Sequence, residues 1–193
     1  MGNLMQQFPD WLIWEASLDD EMCDKILEAC EKLPSKNATT FRAGEDPLYE
    51  DPNRKTQIRW VPRDEEHDWI NQIFETYSRE ANKHFGMELS YLPELQFTEY
   101  KDIGYKYGWH HDIDWGNQTG THRKISIVLQ LSDPEDYEGG DFKFRHIQNP
   151  DGESLKKRGT VIAFLSYQEH CVEEITDGSR TSLVGWYRGP RYK

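Results

Sequence analysis

Within GWHHDIDWG, Gly108–Gly116, two histidines and two aspartates fall inside five residues. Neutral imidazole and ionised carboxylate are both metal ligands, and both are common in solvated loops. In extended backbone, residues i and i+2 point the same way. His110 and Asp112 therefore share one side, and His111 points elsewhere. Neighbours on one strand cannot close a site, so a third ligand must come from another strand. Two imidazoles and one carboxylate on one octahedral face leave three positions open, the arrangement of non-heme Fe(II) oxygenases.

Seven histidines are available, at 67, 84, 110, 111, 122, 146 and 170. His67 and His84 fall in a helical stretch, His122 in the turn-like TGTHR, and His146 at the end of a polar strand. His170 follows the apolar VIAFL and the short polar SYQE, where a barrel brings a strand back towards the first two ligands. Ten residues later Arg180 opens RTSLVGWYR, with Ser182, Val184 and Trp186 on its face. An inward guanidinium with no acid near it in sequence calls for an anionic partner. A dicarboxylate cosubstrate supplies one by bidentate pairing, and Ser182 can add a hydroxyl donor. Singly, a His-x-Asp pair, a late histidine and a strand arginine are each usually surface residues. Here order, strand placement and spacing agree.

These side chains need a scaffold. WLIWEA (11–16) reads as a short strand, followed by Ser17 as the cap of a helix over 18–33 and by Pro34 just past its end. Residues 35–57 read as a long polar loop, of the kind that forms lids or binding segments. QIRWVP (57–62) reads as a strand, and 65–85 as a second amphipathic helix closed by Gly86. Beyond it the period changes to that of strands. ELQFTEY, RKISIVLQLS, DFKFRH, GTVIAFL and RTSLVGWYR are separated by DIGYKYG, SDPEDYEGG, NPDGE and TDGS, the spacing of an antiparallel barrel or jelly roll. In 123–132, Ile125, Ile127, Leu129 and Leu131 form an all-apolar face that the helices must cover. Ser126, Val128 and Gln130 then look into the barrel, and a mixed interior fits a cavity better than a filled core.

A chain of 193 residues is the size of one domain, here 1–193, with 1–90 as supporting strands and helices and 91–193 as the barrel. Seven Trp and ten Tyr exclude a disordered chain. The net charge of −12 repels phosphate backbones and weighs against nucleic acid. It suits a basic peptide substrate and equally serves solubility. Cys23 and Cys30 lie about 10 Å apart along a helix and cannot bridge, and no CxxC occurs, so the cysteines read as reduced packing residues. The N-terminus lacks a basic segment followed by a long apolar run. The expectation is no signal peptide, no membrane span and a cytoplasmic location.

FTEYKDIGYKYGWHHD, RKISIVLQLSDPEDYEGGDF, GTVIAFLSYQEHCVEEITDGSR and SLVGW, within 97–188, carry a resemblance. Their order and gaps resemble the Fe(II)- and 2-oxoglutarate-dependent dioxygenases, in the prolyl 4-hydroxylase-like branch. The resemblance implies a mainly β double-stranded β-helix, cupin-like, with flanking α-helices packed on its major sheet. It implies Fe(II) on His110, Asp112 and His170, and Arg180 on the distal carboxylate of 2-oxoglutarate. Tyr100 and Trp186 match aromatics that line the cosubstrate pocket. Gln130 stands where relatives often carry a tyrosine, and Ser126 and Val128 face the same cavity. The implied reaction couples oxidative decarboxylation to succinate and CO2 with hydroxylation of a C–H bond by O2, ascorbate serving as reductant.

A peptidyl proline is the first substrate expectation, with a free amino acid or other small metabolite as the alternative. A monomer or homodimer is expected. Trp115 or Tyr137 could pack on a pyrrolidine ring, or simply on the surface. His111 is either an acid or a supporting group beside the ligands, or structural, and Asp114 either holds a substrate or a ligand histidine, or is solvated. Neither rival class fits well. A non-catalytic jelly-roll binding module predicts a damaged triad or a missing arginine. A nucleic-acid demethylase wants a second arginine six after the first, where Trp186 stands.

Overall fold

The computed structural model describes residues 9–38, 53–90, 93–116 and 118–192. In chain order these form β1 (Trp11–Trp14), α1 (Asp20–Glu31), β2 (Lys36–Asn37), β3 (Arg54–Lys55), β4 (Gln57–Val61), α2 (Asp68–Phe85), β5 (Pro93–Tyr100) and β6 (Lys106–His110). There follow β7 (Thr121–Gln130), β8 (Tyr137–Gly139), β9 (Phe142–Phe144), α3 (Gly152–Lys156), β10 (Val161–Leu165), β11 (His170–Val172), β12 (Ile175–Gly178) and β13 (Arg180–Pro190). The major sheet runs β1-β10-β7-β13-β5-β4-β2, the minor sheet β3-β6-β11-β9, and β12 pairs with β8. This is the mainly β jelly roll expected, with α1 and α2 on the outside of the major sheet.

Alternation along β7 decides what lies on either side of that sheet. Ile125, Ile127, Leu129 and Leu131 join Ile26, Ile70 and Phe74 in the main apolar core. Close contact is enforced at Gly185 on β13, where a Cβ would stand 2.5 Å from the Phe74 ring. Any larger residue there would push α2 off the sheet. The opposite face points towards the minor sheet, and the gap between the two sheets holds the site.

Local details differ from expectation for identifiable reasons. Asp19, not Ser17, caps α1, its carboxylate accepting from the Met22 N–H at 2.8 Å. Ser17 is committed elsewhere: its hydroxyl meets the Tyr77 hydroxyl at 2.7 Å and its N–H donates to the Gly159 carbonyl, tying α1 to α2 and the sheet. α2 begins at Asp68 because the Asp64 carboxylate takes the His67 N–H and ring, making a turn of the expected first helical residues. It ends, as expected, at Gly86 with φ +63°. β6 and β8 arise inside stretches that read as turns, and β2 and β3 inside the expected long loop. Residues 39–52 of that loop lie outside the described residues.

All three cysteines are free and buried, and burial pushes the thiol of Cys30 up to about 12. Among the described residues, no helix is long and apolar enough to cross a membrane.

Candidate metal centre

Antiparallel pairing sets His110 and His170 directly opposite each other on β6 and β11. Their rings lie 4.2 Å apart. β6 ends at His110, so Asp112 is placed by the loop that follows rather than by strand pairing. Its N–H and that of Ile113 both donate to the Ser166 carbonyl, at 3.0 and 2.9 Å. Asp112 Oδ1 then stands 3.5 Å from His110 Nε2, and Oδ2 stands 3.6 Å from His170 Nε2. One ligand atom from each residue falls within 4.8 Å of the others, and these three residues are the only such group among the described residues.

The ring orientations are fixed from behind. His110 Nδ1 donates to the Gly108 carbonyl at 2.8 Å, and His170 Nδ1 to the Gln168 carbonyl at 2.9 Å. A carbonyl only accepts, so each Nδ1 carries the proton and each Nε2 presents its lone pair to the shared space. Asp112 Oδ2 accepts from the Ser126 hydroxyl at 2.7 Å, and Ser126 meets Ser166 at 2.9 Å. Burial pushes the Asp112 carboxyl upward, but His170 and the His110 bond outweigh it and hold it well below the usual carboxylate range. Burial, aided by the charge of His110, lowers His170 to about 4. At neutral pH the site therefore offers one carboxylate and at least one neutral imidazole, a donor set that fits a divalent iron.

The adjoining cavity is lined by Tyr100, Val128, Arg180, Ser182 and Trp186 together with the three ligands. Arg180 pairs with Tyr100 across β13 and β5, and its guanidinium lies 5.4 Å from the Tyr100 ring. It is 5% exposed, has no carboxylate partner among the described residues, and leaves Nη1 without any hydrogen bond. A buried cation without a counter-charge is costly. A carboxylate ligand fits here by removing that cost.

Two expected cavity residues lie elsewhere. Ser126 holds Asp112 instead of facing the cosubstrate space. Gln130 turns behind Val128, where its amide donates to the Tyr137 hydroxyl at 3.1 Å and to the Ser132 carbonyl at 3.3 Å. Tyr137 is accordingly buried beside Arg180. Trp115 is exposed and packs against His122 and Tyr192. His111 turns outward to the Tyr167 carbonyl, and Asp114 pairs with Arg188 at 2.7 Å.

The sequence reading missed Arg54. It lines the cavity over the Tyr107 ring, 4.2 Å away, and donates to Gln96 at 2.8 Å. Tyr107 in turn stacks on His110, 3.4 Å between centroids. No local pattern marks Arg54; only the pairing of β3 with β6 brings it there.

The 2OG-Fe(II) oxygenase superfamily model matches residues 95–188. A PKHD-type hydroxylase of Synechococcus sp. (strain CC9902) is 39% identical over 85 residues, 44% of this chain and 37% of that protein. One of Picosynechococcus sp. is 35% identical over 118 residues, 60% of this chain and 47% of that protein. The chain thus spans less than half the length of the curated relatives it matches. A Pseudomonas putida prolyl-4-hydroxylase superposes with a TM-score of 0.67 at 21% identity, covering 94% of both chains. A viral collagen prolyl hydroxylase from Paramecium Bursaria Chlorella virus-1 superposes at 0.70 and 19% identity, over 97% of this chain and 99% of that one. A Trichoplax adhaerens prolyl hydroxylase in complex with a hypoxia inducible factor peptide fragment gives 0.71 at 16% identity, over 92% and 83%. At such identities the structures speak for the fold. Over 95–188, just under half of the chain, the sequence is similar to the 2OG-Fe(II) oxygenase superfamily, and the fold that carries it is shared with solved prolyl 4-hydroxylases.

Proposed function

We propose that the protein is an Fe(II)- and 2-oxoglutarate-dependent dioxygenase that hydroxylates a substrate C–H bond, with a peptidyl proline as the substrate. The observation that carries this reading is the pairing of the His110, Asp112 and His170 cluster with the unpartnered Arg180 guanidinium in one cavity. When bound, iron and 2-oxoglutarate supply the oxidative chemistry, releasing succinate and CO2.

The chain's own residues position and protect. His110 and His170 give their Nε2 atoms, fixed by the carbonyls behind them, and Asp112 gives its carboxylate. Arg180 takes the distal carboxylate of 2-oxoglutarate, and Ser182 adds a hydroxyl from the same strand face. Burial raises the Tyr100 hydroxyl above its ordinary value, so it stays protonated and able to donate. Val128, Val184 and Trp186 exclude water from the space between. No side-chain nucleophile is needed. Ascorbate is the reductant this reading calls for.

The peptide assignment draws on the fold neighbour in complex with a peptide fragment and on the net charge of −12, which suits basic segments. Arg54 favours a second reading. It has no carboxylate partner among the described residues, and in the cavity it would suit the carboxylate of a free amino acid.

The test is succinate release by the Fe(II)-loaded protein, with proline-containing peptides and free amino acids in parallel, and mass spectrometry of the products. A gain of about 16 Da on a peptide supports the first reading. The same gain on free amino acids alone supports the second, and no succinate under any condition would refute both.

A further inference from the structure

Behind Arg180 the metal cavity adjoins two further spaces. Arg180 and Phe142 also line a small space bordered by Val128, Gln130, Leu155 and Thr160. They line a third as well, of about 190 Å³, between α3 and the β8–β9 turn. These two side chains are therefore a wall common to three spaces.

The rear space reaches the surface beside Gly152, and its lining carries Lys143, Lys156 and Arg180 against Asp141, with Glu173 paired to Lys143 just outside the lining. On a chain of net charge −12 this is a local excess of positive charge. It concentrates small anions where most of the surface repels them. Lys156 is held over the opening by Asp141 at 2.8 Å, and Lys143 by Glu173 at 2.5 Å.

Among the described residues no carboxylate pins the Arg180 side of the partition, and Gln130 Oε1 on the same side is without a partner. At Gly140, φ +60°, a Cβ would stand 3.1 Å from the Arg180 Cδ. Any larger residue at 140 would press on the arginine stem.

We propose that the rear cavity is a binding site for small dicarboxylates, through which 2-oxoglutarate arrives and succinate leaves. This rests on the reading of Arg180 as the partner of the distal carboxylate. The leading carboxylate of an incoming dianion meets the lysines and then Arg180. As it moves on towards the metal ligands, the trailing carboxylate takes its place on the guanidinium. The metal cavity's own opening is left to the substrate. Cosubstrate and product then exchange while substrate stays in place.

Stopped-flow tryptophan fluorescence with Mn(II)-loaded protein under nitrogen, using 2-oxoglutarate as the probe, measures association and dissociation without turnover. Gly152 is the position to block, since a Cβ there meets nothing within 4 Å and the fold tolerates bulk. Gly152→Trp is expected to slow association and dissociation together by about tenfold, leaving Kd within about twofold. Lys156→Gln is expected to slow association by about threefold and flatten its salt dependence. Unchanged association in both variants overturns the proposal. So does a Kd that rises while dissociation stays the same, which marks a damaged site rather than a narrowed passage. Wild-type protein that takes up no 2-oxoglutarate at all refutes the assignment of Arg180 as well, whereas the other failures leave that assignment standing.

Discussion

Strand β7 shows two kinds of burial on its two faces. Outward, Ile125, Ile127 and Leu129 meet hydrocarbon from α1, α2 and the neighbouring strands, and are completely inaccessible. Inward, Ser126 grips a carboxylate, and Gln130 keeps an oxygen without a partner next to a guanidinium that also lacks one. Neutral hydroxyls go unpartnered on the outer side too, at Ser78 and Tyr187. A buried cation with no carboxylate is different, because its cost is not repaid within the chain. The outer face is arranged for stability alone. The inner face gives up stability to keep binding groups uncommitted.

Four substitutions test that division, the most damaging first. Asp112→Ala, inside, is expected to lower succinate release by more than about a thousandfold, because the metal loses its anionic ligand. Retained turnover would remove Asp112 from the ligand set. Arg180→Met is expected to weaken 2-oxoglutarate about a hundredfold in a titration of the Mn(II) form. The same change should raise the melting temperature of the ligand-free protein, since it replaces an uncompensated charge by an apolar chain. A lower melting temperature would mean that the guanidinium does stabilising work, and the division would fail there.

Ile127→Ala, outside, is expected to cost about 2–5 kcal/mol in urea unfolding. Metal affinity of the folded fraction should stay unchanged, and a parallel loss of affinity would join the two faces into one unit. Ser126→Ala is the finest cut. It is expected to weaken metal binding by about 10- to 100-fold with little change in unfolding midpoint, measured by competition with a chelator. Equal affinity in the variant would show that the two Ser166 contacts hold Asp112 unaided.

Much of this was legible from local pattern. Alternation separates His110 from His111 and the two faces of β7, because the side-chain period of a strand needs no partner to be seen. The amphipathic helices and the longer strands are legible for the same reason. What stays hidden depends on contacts between distant segments. β8, β11 and β12 are three or four residues long, too short to show a period, and exist through their pairing. The true cap of α1 follows from Ser17 being engaged by Tyr77, sixty residues away. Gln130 faces inward as alternation says, but its amide is claimed by Tyr137 from a later turn. Arg54 reaches the cavity only because β3 joins the minor sheet.

The facing of His110 and His170 has a consequence for folding. β6, β11 and β9 have five, three and three residues, a ladder too short to be firm by itself. A cation gripped by both histidines ties chain positions sixty residues apart. A cross-link over a loop of that length removes about 4 kcal/mol of freedom from the unfolded chain. The ion would then act as a reversible clasp on the minor sheet as well as a reagent. Stripping it should speed amide exchange in β6 and β11 well before the strands under α1 and α2 respond.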